Sequence, residues 1–164
     1  MKAVRTYLEM GDASALQPAP APAADVTVER VEQCPPDVWR SLYAEVGREY
    51  HWVDRLGWTD REITEYVTHP SIELWIIRSG GQTAGYFELR READGAMEIA
   101  YFGLLPAFTG RGLGKYLLTA AVERAWAVGA TRVWVHTSSL DHTSALPNYL
   151  ARGFSIWKQE TYDI

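Results

Sequence analysis

The sequence predicts an α/β domain built on a mixed, mostly antiparallel, twisted sheet. Three observations carry that expectation. Apolar residues recur at period two in several short runs, as they do in half-buried strands. Two of those runs, Ile72 to Ile77 and Thr83 to Arg90, flank the turn Ser79-Gly80-Gly81 and read as a hairpin. A strong helical stripe from Leu113 to Val128 falls between the strand-like runs 97–105 and 133–135. That strand–helix–strand unit requires a crossover, which adds a parallel pair to the antiparallel ones.

The elements follow in order. Met1 to Leu16 is too short to be a domain; within it Val4 to Met10 reads as an added edge strand or as a tail packed on the body. Gln17 to Ala24, QPAPAPAA, suits neither a helix nor a central strand and reads as an extended connector. The chain therefore divides into 1–24, an N-terminal segment and connector, and 25–164, one domain. Val26 to Val31 alternates as a strand. Pro35-Pro36-Asp37 opens a helix to about Val46, with Val38, Trp39, Leu42 and Val46 on one face. Thr59 or Asp60 caps a second helix striped by Ile63, Tyr66 and Val67. After the hairpin, the turn Ala93-Asp94-Gly95 leads into Met97 to Leu105, which completes a meander. In the long helix Leu113, Leu117, Ala121, Val122, Ala125 and Trp126 share a face, and Gly129 stops it. Val133-Trp134-Val135 reads as a buried strand, Ser144 to Ala151 as a helix ending at Gly153, and Phe154 to Tyr162 as a last strand. Trp39, Trp126 and Trp134 are expected in the core.

Composition excludes several functions. A net charge of −5 argues against a nucleic-acid binder, whose footprint is a basic patch. It is compatible with an amine partner. The single cysteine, Cys34, excludes an internal disulfide and a multi-cysteine zinc site, and no HExxH is present, so no metal is expected. The start of the chain lacks the apolar region of a signal peptide, and no apolar run approaches the ~20 residues of a membrane span. A cytoplasmic protein, monomer or homodimer, is the default.

The most informative segment is Leu104 to Lys115, LLPAFTGRGLGK, between a strand and the long helix. Gly110, Gly112 and Gly114 remove side chains where the backbone turns. The first-turn N–H groups of the helix lack intrahelical partners, and the dipole there favours anions, which makes a cradle for phosphate. Arg111 and Lys115 add positive charge. A P-loop fails, because Thr109 and Tyr116 stand where it needs Gly and Ser or Thr; a dinucleotide fingerprint fails, because Gly114 comes one position early. The plain alternative is a tight turn that holds nothing.

Thr109-x-x-Gly112-x-Gly114 resembles motif A, Gln/Arg-x-x-Gly-x-Gly/Ala, of the GNAT superfamily of acyl-CoA-dependent N-acetyltransferases. Residues 140–154 resemble a second family stretch, with Ala145, Tyr149, Gly153 and Phe154 matching and His142 in the usual Asn place. The resemblance covers about residues 25–160. It implies helices on both faces of the sheet and a splayed central strand, where Gly103 permits a splay or bulge. It also implies acetyl-CoA as co-substrate. The amides of Thr109, Gly110, Arg111, Gly112, Leu113, Gly114 and Lys115 would hold its pyrophosphate, backbone groups at Phe102 and Leu104 its pantetheine arm and thioester, and His142 would contribute a further contact. Thr109 and His142 depart from the family's residues, which puts their side-chain contacts in question.

Two catalytic residues follow. Glu98 is the one charge in an apolar strand, and burial would raise its pKa toward that of a general base, the role the resemblance implies; the bland alternative is a solvent-facing strand-end glutamate. Tyr149 is the matching general acid, protonated at neutral pH, or else a packing residue. The aromatic connection between the first two helices supplies acceptor residues Tyr50, Trp52, Asp54 and Trp58, with Asp54 and Arg55 fixing polar ends; equally, its tryptophans anchor a satellite core. The implied activity is direct acetyl transfer to a primary amine of a small molecule or peptide. The alternatives are a non-catalytic acyl-CoA-binding or sensing module and an interaction protein using the Trp-rich loop.

Overall fold

The computed structural model describes residues 1–164 and has the order β1 (Lys2–Met10), β2 (Val26–Arg30), α1 (Pro36–Gly47), α2 (Asp60–Val67), β3 (Ile72–Ser79), β4 (Gln82–Arg91), β5 (Met97–Leu104), α3 (Leu113–Ala127), β6 (Val133–Ser138), α4 (Ala145–Ala151) and β7 (Ser155–Asp163). One seven-stranded sheet runs β2-β3-β4-β5-β6-β1-β7. Every pairing is antiparallel except β5 with β6, the crossover that α3 makes.

The helices divide between the faces. α3 lays Leu117, Leu118, Ala121, Val122 and Ala125 on Leu8, Met10, Phe87, Leu89, Ile99 and Val135. On the other face Trp39, Leu42 and Val46 of α1 and Ile63 of α2 cover Leu74, Ile76 and Tyr86. Val38 departs from the expected α1 stripe and faces solvent, because α1 buries only the arc through Trp39, Leu42, Tyr43 and Val46. Thr59 caps α2 in a box with Glu62, each side chain accepting from the other's backbone N–H.

β1 is not an edge strand. It fills the space between β6 and β7, pairing Arg5–Met10 with Ser138–Val133 and Lys2–Glu9 with Asp163–Ser155. Thr6, Leu8 and Met10 therefore enter the core and Arg5, Tyr7 and Glu9 face away. The boundary at residue 24 does not separate this segment from the sheet. The connector packs back as well: Ala19 N donates to Thr119 Oγ1 on α3 at 2.9 Å. Trp134 also departs from expectation. Half-buried, it stands on the face opposite α3, stacked with Tyr7 at 6.4 Å, because its strand alternates Val133 and Val135 inward.

The central strands part. β5 and β6 pair only at Met97–Val133 and Glu98–Trp134. Beyond that point β5 keeps pairing with β4 as far as Gly85–Leu104. A Cβ at Gly85 would lie 2.3 Å from Gly103 O, so glycine is required for that approach. The edge of β5 from Ile99 to Leu104 is left without a strand partner on the β6 side, and a cleft opens there.

Candidate active site

The cleft has a volume of about 510 Å³. One wall is the end of β5, with Phe102, Gly103 and Leu104; its base is the glycine turn, with Thr109, Gly110, Gly112, Gly114 and Lys115; its far wall is the β6–α4 loop and α4. Gly110 and Gly112 have φ of 77° and 78°, the left-handed region that favours glycine. Gly112 directly precedes α3 and no side chain caps the helix. The first-turn N–H groups thus face the cleft unpaired, an anion cradle at the positive end of a 15-residue helix. The turn fits a phosphate-bearing cofactor.

Of the expected cofactor residues, Phe102, Leu104, Thr109, Gly110, Gly112, Gly114, Lys115 and His142 line the cleft. Leu113 sends its side chain into the core, so only its backbone is available. The Arg111 guanidinium lies over the Phe108 ring at 5.3 Å. Asn148 and Arg152, which sequence reasoning passed over, share this wall. Asn148 Nδ2 donates to Gly114 O at 3.2 Å, while Asn148 Oδ1 and Arg152 Nε are buried without a partner. Asn148 and Arg152 are four residues apart, the helical spacing that places them on one face.

Tyr149 is 4% exposed and lines the cleft, with its ring 6.0 Å from both Phe102 and Phe154. Burial raises its phenol pKa, and Asp141 adds to the effect, so the proton stays on at neutral pH. Asp141 itself is fixed by Thr137 Oγ1 at 2.7 Å and Ser138 N at 2.8 Å.

Glu98 does not line the cleft. Met97 and Ile99 point toward α3, so Glu98 points to the opposite face, at the fork of β5 and β6. It is 4% exposed, bonded to Arg90, with His136 Nε2 4.0 Å from its Oε2. Burial raises its pKa against the opposing pull of Arg90, and burial lowers that of His136.

The loop between α1 and α2 divides its aromatics. Tyr50 and Trp52 reach the cleft; Trp52 Nε1 donates to Asp141 Oδ1 at 3.4 Å and Tyr50 sits 6.2 Å from the His142 ring. Trp58 instead stacks on Trp39 at 5.4 Å, in the satellite core, and Asp54 faces solvent. Arg55 is not free to meet a ligand. It is 7% exposed and donates from Nη1 to both oxygens of Glu88, at 3.0 and 2.8 Å. Glu88, 1% exposed, was legible by the argument applied to Glu98, a lone carboxylate in the apolar run of β4.

No three His, Cys, Asp or Glu side chains gather as a metal site would require, and no helix is long and apolar enough to cross a membrane.

Comparison with known proteins places this geometry. The pattern of the Acetyltransferase (GNAT) family matches residues 36–154. A mycothiol acetyltransferase of Corynebacterium efficiens is 25% identical over 111 residues, 65% of this chain and 37% of that protein. Among solved structures, a GCN5-related N-acetyltransferase from Kribbella flavida superposes with a TM-score of 0.68 at 21% identity, over 93% of this chain and 54% of that one. An IAA acetyltransferase from Bacillus cereus gives 0.59 at 26% identity, over 81% and 79%. The chain thus spans little more than a third of the first of these relatives and about half of the second. A family pattern that runs from α1 to the start of β7, through the cleft and its glycine turn, makes the chain a member of the GNAT acetyltransferase family.

Proposed function

We propose that this chain is a cytoplasmic N-acetyltransferase that moves an acetyl group from acetyl-CoA directly to a primary amine of a small molecule or peptide. The observation that carries the reading is the uncapped, glycine-entered N-terminus of α3 opening into a cleft walled by the unpaired edge of β5 and by Tyr149. Bound acetyl-CoA supplies the activated acyl group. The turn at 109–115 holds its phosphates through backbone N–H groups, with Lys115 beside them. Arg152 Nε and Asn148 Oδ1, buried and unpartnered, offer further contacts. The freed backbone at Phe102 and Leu104 binds the arm and presents N–H groups to the thioester oxygen, where charge develops. Tyr149 returns a proton to the departing sulfur. Glu98, on the opposite face at the fork, draws the proton from the amine through water, its raised pKa suited to that task.

Mutation of Tyr149 to Phe tests the reading. Thiol release from acetyl-CoA with a panel of primary amines should fall about 100-fold or more. Acetyl-CoA affinity by calorimetry should hold, because no protein side chain bonds the hydroxyl. Equal rates for the two proteins would remove Tyr149 from the mechanism.

The ion pair of Glu98 with Arg90 favours a second reading, a non-catalytic acyl-CoA-binding module, since a paired carboxylate is a poorer base. That reading expects tight acetyl-CoA binding with no thiol release on any amine.

A further inference from the structure

The α1–α2 loop is built inside out. Val53 and Leu56 face solvent, while the arginine between them, Arg55, is buried. A site made for a cation receives it. Besides the two bonds to Glu88, Arg55 Nη2 donates to Tyr66 Oη at 2.8 Å, and the Arg55 backbone N–H donates to Tyr43 Oη at 3.2 Å. The guanidinium carbon lies 4.1 Å from the Tyr101 ring centroid and 4.9 Å from that of Trp58. Glu88 is held in turn by Trp39 Nε1 at 2.9 Å and Tyr66 Oη at 3.0 Å.

The cage connects to the cleft. The Tyr101 ring has Arg55 near it at 4.1 Å and Trp52 at 5.0 Å in edge contact. Trp52 in turn lies against Gly103, where an added Cβ would be 3.6 Å from its Cη2, and reaches Asp141 across the cleft. Gly47 permits this, since a Cβ there would fall 2.3 Å from that of Trp52. Arg55, Tyr101 and Trp52 therefore form one continuous run of contacts from the buried carboxylate to the cleft wall.

We propose that Arg55 is a positioning residue: seated in the Glu88 cage, it locks the α1–α2 loop so that Trp52 forms the wall at the acyl end of the cleft. The proposal rests on the acetyl-CoA reading for which end of the cleft holds the acyl group. Arg55 never touches the reacting atoms. It pre-orders the wall, so the acyl group is bound without the cost of ordering a loop.

Two measurements on the full chain test it, with Arg55→Lys beside Arg55→Ala. Lysine keeps a charge against Glu88 but lacks the planar fork that bridges to Tyr66 and stacks on Tyr101. Backbone hydrogen exchange read by mass spectrometry should speed up by about ten-fold or more across residues 48–58 in both variants, with β4 and α3 unchanged. Methylguanidinium at millimolar concentration should restore the protection in Arg55→Ala. In calorimetry both variants should bind acetyl-CoA about ten-fold more weakly, while free coenzyme A, gripped by the 109–115 turn, changes less than about two-fold.

Unchanged exchange in the loop would overturn the proposal. So would uniform acceleration over the whole chain without methylguanidinium rescue, or equal losses for the two ligands. If the wild-type protein binds neither ligand, the cofactor reading fails, and the exchange data alone decide whether the lock exists.

Discussion

Gly103→Ala asks why the cleft wall carries no side chain at this position. An added Cβ would lie 2.5 Å from Val46 Cγ1, where carbon atoms normally rest at about 3.5–4.0 Å. Val46 cannot turn aside. It is buried in α1, and a valine in a helix holds one χ1 rotamer. The clash must therefore move α1 or β5, at a cost of about 1–3 kcal/mol. Val46→Ala alone loses two buried methyl groups, about 2 kcal/mol once the residual cavity is included. In the double variant the new methyl at 103 enters the space vacated at 46. Its destabilisation should fall below the sum of the single effects by about 1–2 kcal/mol. Urea denaturation of the four proteins measures the cycle. Additivity within about 0.5 kcal/mol would show that the two positions do not meet, and would refute the account of Gly103 as the site of close approach between α1 and β5.

Two further outcomes follow from the site. Gly112→Ala places an L-residue at φ 78°, ψ 4°, a cost of about 1–2 kcal/mol with no steric clash. Acetyl-CoA affinity by calorimetry should fall about 5–30-fold where that cost is met by distorting the turn, whereas Gly114→Ala, inside the helix, should leave the melting temperature unchanged or higher. Glu98 has a raised pKa in the folded chain, so folding holds its proton more tightly than the unfolded chain does. Its contribution is fully present below the ordinary carboxylate range and is lost as pH rises through the raised value. Urea denaturation from about pH 4 to 7 should therefore show the wild type losing stability relative to Glu98→Gln as pH climbs, and parallel curves would contradict it.

Local periodicity was legible in the chain, and partners were not. The alternation in Val4–Met10 announces a strand, and its inward set is Thr6, Leu8 and Met10. Nothing in those letters says that the strand pairs with residues 133–138 and 155–163, over 120 residues away. The Val133-Trp134-Val135 run looks buried on both faces, yet only one face has a helix over it, so Trp134 is half-exposed. The glycine turn was readable because its chemistry is local: positive φ and the free N–H groups of a helix start both lie within a few residues. Gly103 reads in the sequence as permitting a splay or a bulge. The strands do splay beside it, but the register shift lies opposite Glu88 and Leu89, at Ala100, and Gly103 also answers to Val46, a residue of another element. Arg55 was misread for the same reason, since its partner Glu88 is 33 positions away.

The cleft is a product of competing ladders. β5 stays with β4 to its end, while β6 gives its other edge to β1 along six residue pairs against two with β5. A strand so firmly held on one side cannot follow β5 as it leans toward β4. The hold extends beyond the strand: Ser139 N donates to Val4 O at 2.8 Å and Val4 N to Ser139 Oγ at 2.9 Å. Those two bonds pin the start of the loop that carries Asp141 and His142 to the far wall. The N-terminal strand, remote in sequence from every catalytic candidate, thus fixes the position of half the cleft. Variation in residues 2–10 should therefore be felt at Asp141 and His142 before it is felt at the glycine turn, which α3 anchors through its own core of Leu117, Leu118, Ala121 and Val122.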